Sequence, residues 1–476
     1  MFLRQVTDGA LAQNAYLIGC QRTGEAVVVD PERDVDRYLD LAAANGLRLV
    51  AVADTHIHAD YLSGARELVE RHGARGYFSA EGGEDWQFEW ARGLDGVTLL
   101  HDGDTFGVGN IGIRALLTPG HTPEHLSFLV TDRGGGADEP MALLSGDFLF
   151  VGDVGRPDLL ESAAGQQGVM EPAARTLYES LRSTAGLPGF LQVLPAHGAG
   201  SACGKALGAV PTSVLDYERR HNAAFRLALE GPREDFVGTI LEGQPEPPLY
   251  FARMKRDNRR GPALLPGGRL PEPVRVSRGE LAGWVGAGER RMLDLRNDRA
   301  DFMAGHLKGA LFAPLAGGRL SLSAGCYAGE ADQLLLLVED PGQVEAAVRD
   351  LVRIGLDHVA GWIPVEEALR EDSLVESIRR IPTAELDVEL DDHPGASVLD
   401  VRGAGEFEAG HVKGARNLAY TRLAAGSDEL PAGEPVLIHC ASGVRAAMAA
   451  SYVAGLGRKV VHVDGDFGDI PAELRG

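Results

Sequence analysis

Two stretches of one pattern, LDLRNDRADFMAGHLKGA at 293–310 and LDVRGAGEFEAGHVKGA at 399–415, stand about 105 residues apart in this chain of 476 residues. A pattern that recurs at domain spacing means that the last 200 or so residues fold as two copies of one unit, which removes most topologies from consideration. Each copy opens on a short apolar strand ending in Asp-x-Arg, at Asp294 and Asp400, and then passes through a Gly-His-x-Lys-Gly-Ala turn. A second apolar run follows, LLLLVED at 334–340 and PVLIHC at 435–440, then an Ala-rich helical stretch and a third strand. Buried strands alternating with helices predict a parallel sheet covered on both faces, and so an α/β class.

Ahead of the repeat, RDNRRGPALLPGGRLPEP at 256–273 has no hydrophobic period and reads as an exposed linker. The chain therefore divides into 1–255, the linker 256–273, a first repeat copy at 274–370 and a second at 378–476. Within 1–255, apolar strands at 25–30 and 47–54 alternate with helical stretches at 65–72 and 173–183, which predicts a further α/β layer structure. Sixty-nine acidic residues against 46 Lys and Arg give a net charge of −23, a field that repels phosphate backbones and anionic headgroups. Neither nucleic acid nor a membrane surface is an expected partner. No stretch approaches the roughly 18 uncharged apolar residues of a spanning helix, and the first 20 residues lack a secretory apolar core, so the chain reads as soluble and cytoplasmic. Its four cysteines, Cys20, Cys203, Cys326 and Cys440, form no Cys-x-x-Cys pair, which argues against a disulfide framework and a thiolate zinc cluster. Cys20 closes an apolar strand and reads as core.

The strand at 47–54 runs into Thr55-His56-Ile57-His58-Ala59-Asp60-Tyr61. Imidazoles at i and i+2 on an extended segment point the same way, so one strand end presents two nitrogens with a carboxylate alongside. His121 follows a Pro-Gly turn in LLTPGHTPEH, Asp147 ends the run ALLSG, and His197 follows VLPA. One histidine at a strand end is an ordinary turn residue, but four strand ends that each carry a metal-type ligand make a constellation.

His-x-His-x-Asp, then Gly-His, apolar-Gly-Asp and Pro-Ala-His, resembles the metallo-β-lactamase superfamily over about residues 1–250, which implies two mixed sheets sandwiched between helices, an αββα sandwich. In dizinc members the first motif ends in a second histidine that helps to build a second metal position. Here Tyr61 stands in its place, so a closed second site is not expected. The resemblance to mononuclear iron persulfide dioxygenases then implies one Fe(II) per chain on His56, His121 and Asp147, a facial two-histidine, one-carboxylate set suited to dioxygen chemistry. His58, Asp60 and Tyr61 would orient ligands and water, and His197 would line the substrate pocket. Gly155-Arg156-Pro157-Asp158 resembles the Gly-Arg-x-Asp stretch that positions the thiol substrate, and the Arg156 fork suits a carboxylate or phosphate of such a thiol. Cys203, six residues past His197 in a glycine-rich run with Lys205, is a further substrate-pocket candidate, its surroundings favouring thiolate. The alternative is a zinc hydrolase of the hydroxyacyl-glutathione type, with His58 as a third ligand and a metal-bound water attacking a thioester.

In the last copy the strand PVLIH leads into Cys440-Ala441-Ser442-Gly443-Val444-Arg445 and then a helix-prone run. A cysteine between a strand end and a helix N-terminus meets unpaired backbone N–H groups and the positive end of the helix dipole, which stabilise a thiolate, a persulfide or an oxyanion. Cys440 is the expected nucleophile, and Arg445 a fixed cation for thiosulfate or sulfite. Ser442, Gly443 and Val444 form the substrate cradle. Cys-x-x-Gly-x-Arg, with the upstream Asp400-x-Arg402 and Gly-His411, resembles the rhodanese family of sulfurtransferases. Asp400 and His411 read as scaffold, because they recur where the nucleophile does not. The middle copy keeps Asp294-x-Arg296 and His306 but runs into Glu339-Asp340-Pro341 with no cysteine, so it reads as an inactive rhodanese-like copy.

The order of domains resembles bacterial fusions of persulfide dioxygenase and sulfurtransferase that detoxify sulfide. That resemblance implies oxidation of low-molecular-weight thiol persulfides by O2 to sulfite, followed by rhodanese transfer to thiosulfate, and a homo-oligomer. Besides the zinc hydrolase with an appended sulfurtransferase, a non-enzymatic persulfide carrier or sensor loaded on Cys440 is the third reading.

Overall fold

A computed structural model describes the chain apart from residues 163–167, 202, 205–206, 209, 287–288 and 371, so Lys205 lies outside the described residues. It divides into two compact units, Met1–Arg269 and Leu270–Gly476.

The first unit holds two six-stranded sheets. One runs in chain order through β1 (Phe2–Asp8), β2 (Gln13–Cys20), β3 (Glu25–Val29), β4 (Arg48–Ala53), β5 (Arg75–Ser79) and β6 (Val97–Leu100). β1 to β3 are antiparallel and β3 to β6 parallel. The other holds β7 (Thr105–Val108), β8 (Ile111–Leu117), β9 (Leu126–Asp132), β10 (Ala142–Gly146), β11 (Gln192–Pro195) and β12 (Ser213–Val214). It is antiparallel except between β10 and β11. Side chains alternate across a strand, and in β2 both faces are apolar: Tyr16 and Ile18 meet Phe128, Val130 and Leu144 of the other sheet, while Ala15 and Leu17 meet the helices Asp36–Ala44 and Ala65–His72. The outer face of the second sheet packs on Met170–Ser183, Ala223–Glu230 and Arg233–Leu241. These are the expected four layers, helix, sheet, sheet and helix.

Of the segment read as an exposed linker, residues 266–269 are exposed, but 256–265 is held against the first unit. The helix Tyr250–Arg260 runs into it with Met254 and Asn258 buried. Beyond the helix, Arg33 donates to the Ala263 carbonyl, Arg66 to those of Gly261 and Pro262, and Arg71 to that of Leu265. The stretch lacks a hydrophobic period because arginines of the first unit hold it by its backbone.

The second unit contains two five-stranded, all-parallel sheets of identical order. In space they run Val274–Arg275, Val359–Pro364, Gln333–Val338, Arg290–Asp294, Leu311–Phe312 and, in the last copy, Arg379–Pro382, Val460–Asp464, Val436–His439, Ser397–Asp400, Arg416–Asn417. The repeated motif is scaffold in both copies: Arg296 forks onto Asp294 and donates to the Gly305 carbonyl, and Arg402 does the same with Asp400 and Gly410. His306 and His411 each stack on a phenylalanine four residues earlier, Phe302 and Phe407. Among the described residues no helix is long and apolar enough to cross a membrane.

Candidate metal centre and cysteine loop

Five strands of the first unit end at one rim of the sandwich, and each hands over a polar side chain: Asp30 after β3, His56 after β4, His121 after β8, Asp147 after β10 and His197 after β11. All five are buried. One donor atom from each of His56, His121 and Asp147 lies within 4.8 Å of the other two, and His121 Nε2 is 3.4 Å from Asp147 Oδ2.

The other ring nitrogens are tied down. His56 Nδ1 stands 2.9 Å from Thr55 Oγ1, whose hydroxyl donates to Asp30 Oδ2 and therefore accepts from the ring. His121 Nδ1 donates to the Arg156 carbonyl at 3.0 Å and His197 Nδ1 to that of Ala12 at 3.3 Å. In all three rings Nε2 is left as the lone-pair nitrogen facing Asp147, the tautomer a metal ligand needs. Burial, joined by the neighbouring imidazoles, holds His56 well below the ordinary histidine range, and burial also lowers His121. Against its own burial, the surrounding histidines keep Asp147 ionised further down than an ordinary aspartate.

His125, four residues past His121, was not singled out in the sequence. Its Nε2 accepts the Asp147 backbone N–H at 3.0 Å, so its Nδ1 carries the proton and donates to Thr118 Oγ1 at 2.9 Å. Thr118 Oγ1 lies 2.8 Å from Ser127 Oγ, so its hydroxyl can continue the chain. Burial pushes His125 down to about 3, so the ring stays neutral and holds the Asp147 backbone from behind. Asp30 was also missed. It accepts the Thr55 N–H at 2.7 Å and holds a φ of 55°, a left-handed conformation that a non-glycine residue adopts only where its surroundings impose it.

His58 does not turn the same way as His56. Its Nε2 lies 3.2 Å from Asp30 Oδ1, its ring stacks on Tyr61, and Asp30, Asp54 and His58 form a separate group of donors. Burial disfavours the charged ring, but the Asp30 carboxylate outweighs it and raises His58 to about 9. His58 Nδ1 is buried without a hydrogen bond. The Tyr61 hydroxyl donates to the Asp30 carbonyl and accepts from Gln13, so its hydrogen bonds are taken within the first unit's frame. Asp60, His197 and Cys203 come together as a second donor set, with His197 Nε2 3.3 Å from Asp60 Oδ2 and 3.5 Å from Asp147 Oδ1. Asp60 Oδ2, Asp147 Oδ1 and His197 Nε2 are buried and carry no hydrogen bond, which fits atoms that ligate a cation.

Two expectations change at this rim. Cys203 is buried, and that burial, with Asp60 and Asp147 beside it, pushes the thiol well up and does not favour thiolate. Arg156 is not an open fork: its Nε and a terminal nitrogen grip Asp158 at 2.8 and 2.6 Å, the same nitrogen donates to the Pro245 carbonyl, and the residue is 1% exposed. Arg156 acts on the centre through its carbonyl, which fixes His121.

In the last copy Cys440 ends the strand Val436–His439 and its Sγ accepts the N–H groups of Gly443 at 3.2 Å and Ala446 at 3.4 Å. The helix Val444–Gly455 starts on this loop. Gly443 has a φ of 90°, and a Cβ there would collide with Asp464 Oδ1, so only glycine closes the turn. Arg445 forks onto Glu406 at 2.6 and 2.8 Å, an ion pair that is partly exposed. The middle copy has no counterpart, since Glu339-Asp340-Pro341 follows its strand Gln333–Val338 and Cys326 is buried in the helix Arg319–Tyr327.

Comparison with known proteins matches both parts of the chain that carry these residues. Residues 8–197 match the metallo-beta-lactamase superfamily and residues 383–472 the rhodanese-like domain. The chain is 30% identical over 292 residues to a probable metallo-hydrolase of Burkholderia pseudomallei, covering 56% of this chain and 92% of that protein. It is 30% identical over 203 residues to the mitochondrial persulfide dioxygenase ETHE1 of Bos taurus, covering 41% of this chain and 68% of that one. A crystal structure of a metallo-beta-lactamase from Staphylococcus aureus superposes with a TM-score of 0.67 at 37% identity, over 76% of this chain and 99% of that one.

Proposed function

This chain belongs to the metallo-β-lactamase superfamily and carries a rhodanese-like domain, and from that premise we propose that it oxidises a low-molecular-weight thiol persulfide with O2 and passes sulfur through Cys440 to give thiosulfate. The first step reads RSSH + O2 + H2O → RSH + SO3²⁻ + 2H⁺. In the second, the Cys440 thiolate takes the outer sulfur of another persulfide and releases thiol. Sulfite then attacks that sulfur, leaving thiosulfate and the Cys440 thiolate.

The observation that carries the reading is the convergence of two lone-pair imidazole nitrogens, on His56 and His121, with the Asp147 carboxylate in a buried pocket. These residues would hold Fe(II), which when bound supplies the activation of O2. Thr55 and the Arg156 carbonyl fix the tautomers of His56 and His121, and His125 holds the backbone of Asp147. Burial keeps bulk water from the sulfur being oxidised. At Cys440, two backbone N–H groups and the N-terminus of the helix Val444–Gly455 stabilise the thiolate, its persulfide and the developing charge on sulfur.

A zinc hydrolase remains the second reading, favoured by one observation: Asp60, His197 and Cys203 form a further donor set beside Asp147, while His58 Nδ1 stands unpaired. Product analysis separates the two. Purified protein given a thiol persulfide in air should yield sulfite in the Cys440→Ser variant and thiosulfate in the unaltered chain. Hydrolysis of an acyl-thiol with no sulfur oxyanion formed would favour the hydrolase.

A further inference from the structure

The copy whose loop lacks a cysteine touches the loop of the copy that has one. Arg299 opens the helix Arg299–Ala304 of the middle copy, and its side chain reaches the last copy at two points: Nε donates to Asp464 Oδ1 at 2.7 Å, and a terminal nitrogen donates to the Ser442 carbonyl at 3.3 Å. The peptide that carries the Ser442 carbonyl also carries the Gly443 N–H, and in a planar trans peptide these two groups point in opposite directions. A donor that draws the carbonyl outward therefore turns the N–H inward, where it meets Cys440 Sγ at 3.2 Å.

The rest of the surroundings acts on the same peptide. On the far side of Gly443, the His462 ring donates from Nε2 to the Gly443 carbonyl at 2.9 Å; burial holds this histidine down at about 4, so the ring is a neutral donor. Asp464 lies against the Gly443 Cα and is shared between Arg299 and Arg380, the latter at 2.8 Å. Further contacts join the copies: the Tyr327 hydroxyl donates to the Tyr420 carbonyl at 3.0 Å, and the Phe312 N–H donates to Ser451 Oγ at 2.9 Å. The helix that follows the Asp-x-Arg strand in each copy thus grips the loop, the last copy through Glu406 on Arg445 and the middle copy through Arg299 on Ser442.

We propose that the middle rhodanese-like copy, whose own loop carries no cysteine, works as part of the sulfur-transfer site, supplying Arg299 as the positioning residue that aims the Gly443 N–H at Cys440. This deepens the sulfurtransferase reading and rests on it. Arg299 touches neither Cys440 nor, in this account, the transferred sulfur. Its action runs through the Ser442–Gly443 peptide.

The test is the pH dependence of Cys440 alkylation by iodoacetamide in the full chain, followed peptide by peptide with mass spectrometry, for the unaltered protein and for Arg299→Gln, Arg299→Lys and Arg380→Gln. A charge-assisted hydrogen bond of this kind carries roughly a tenfold effect. Arg299→Gln is expected to slow Cys440 alkylation at neutral pH about tenfold and to lower kcat/KM for sulfur transfer from thiosulfate about tenfold. Arg299→Lys recovers part of both, because an ammonium keeps the charge but cannot span Asp464 and Ser442 together. Arg380→Gln, which loosens Asp464 without touching the peptide, changes both by less than a third of that. Alkylation profiles that coincide in all four proteins overturn the inference, as does an Arg380→Gln effect equal to that of Arg299→Gln. Alkylation needs no turnover, so an unaltered protein that transfers no sulfur would remove the sulfurtransferase reading while the alkylation profiles still decide whether Arg299 sets the thiol.

Discussion

Asn258 is the least conspicuous residue with a large expected effect. It sits 2% exposed near the end of the helix Tyr250–Arg260 and makes three hydrogen bonds across some 200 residues of chain: Oδ1 accepts the Ser63 N–H at 2.8 Å, and Nδ2 donates to the carbonyls of His58 at 2.8 Å and Tyr61 at 2.7 Å. It therefore clamps the loop that leaves β4 just beyond His56. Asn258→Leu keeps the volume and leaves one N–H and two carbonyls buried without this partner. At about 1–3 kcal/mol for each orphaned group, with partial relaxation, the loop loses about 3–6 kcal/mol. Since 1.4 kcal/mol is a factor of ten, amide protection over residues 54–63 should fall by roughly two to four orders of magnitude. Hydrogen–deuterium exchange with peptide-level readout measures it directly, and Asp257→Asn, at a partly exposed neighbour that pairs with Arg256, is the control, expected within about 0.5 kcal/mol. Unchanged exchange over 54–63 in Asn258→Leu would show that the clamp does not hold the loop.

His125→Leu should weaken metal retention about 10- to 100-fold, read by competition with a chelator, because the Asp147 backbone N–H and Thr118 lose their partner. Cys440→Ser should abolish sulfur transfer and leave O2 uptake intact, whereas His121→Ala should do the reverse; paired activity assays on both variants check this. Burial holds His462 at about 4 in the folded chain against about 6.5 unfolded, so the unfolded state binds the extra proton between those values. Stability is then complete above about pH 6.5 and falls as pH drops toward 4, by about 3 kcal/mol for this group. His462→Gln, which keeps a donor for the Gly443 carbonyl, should flatten the slope in that window in pH-resolved thermal unfolding.

What was legible in the sequence was whatever a strand end or a repeat announces. His56, His121, Asp147 and His197 each follow an apolar run, and a period-two strand with a ligand at its end leaves that mark in one dimension. Asp30 carries the same mark after EAVVV, yet a lone carboxylate at a strand end is too common to be picked out. His125 stood in the same stretch as His121 and was passed over because its role is to hold a backbone N–H of a residue 22 positions away. Arg156 had the right spacing, but sequence spacing does not say that Asp158 would take the fork. Asn258 and Arg299 were invisible for one physical reason: their partners lie between about 140 and 200 residues away, and each acts on backbone atoms, which no residue type encodes. The held part of the linker, 256–265, was hidden on the same ground, since carbonyl groups gripped by distant arginines leave no hydrophobic period.

The central claim is that His56, His121 and Asp147 form an oxygen-activating centre for persulfide. Its most direct test is an oxygen-electrode trace on anaerobically purified protein of measured metal content, started by adding a thiol persulfide. About one iron per chain with O2 uptake that disappears in His121→Ala and persists in Cys440→Ser is the predicted result. Zinc in place of iron, with no O2 consumed, would contradict it.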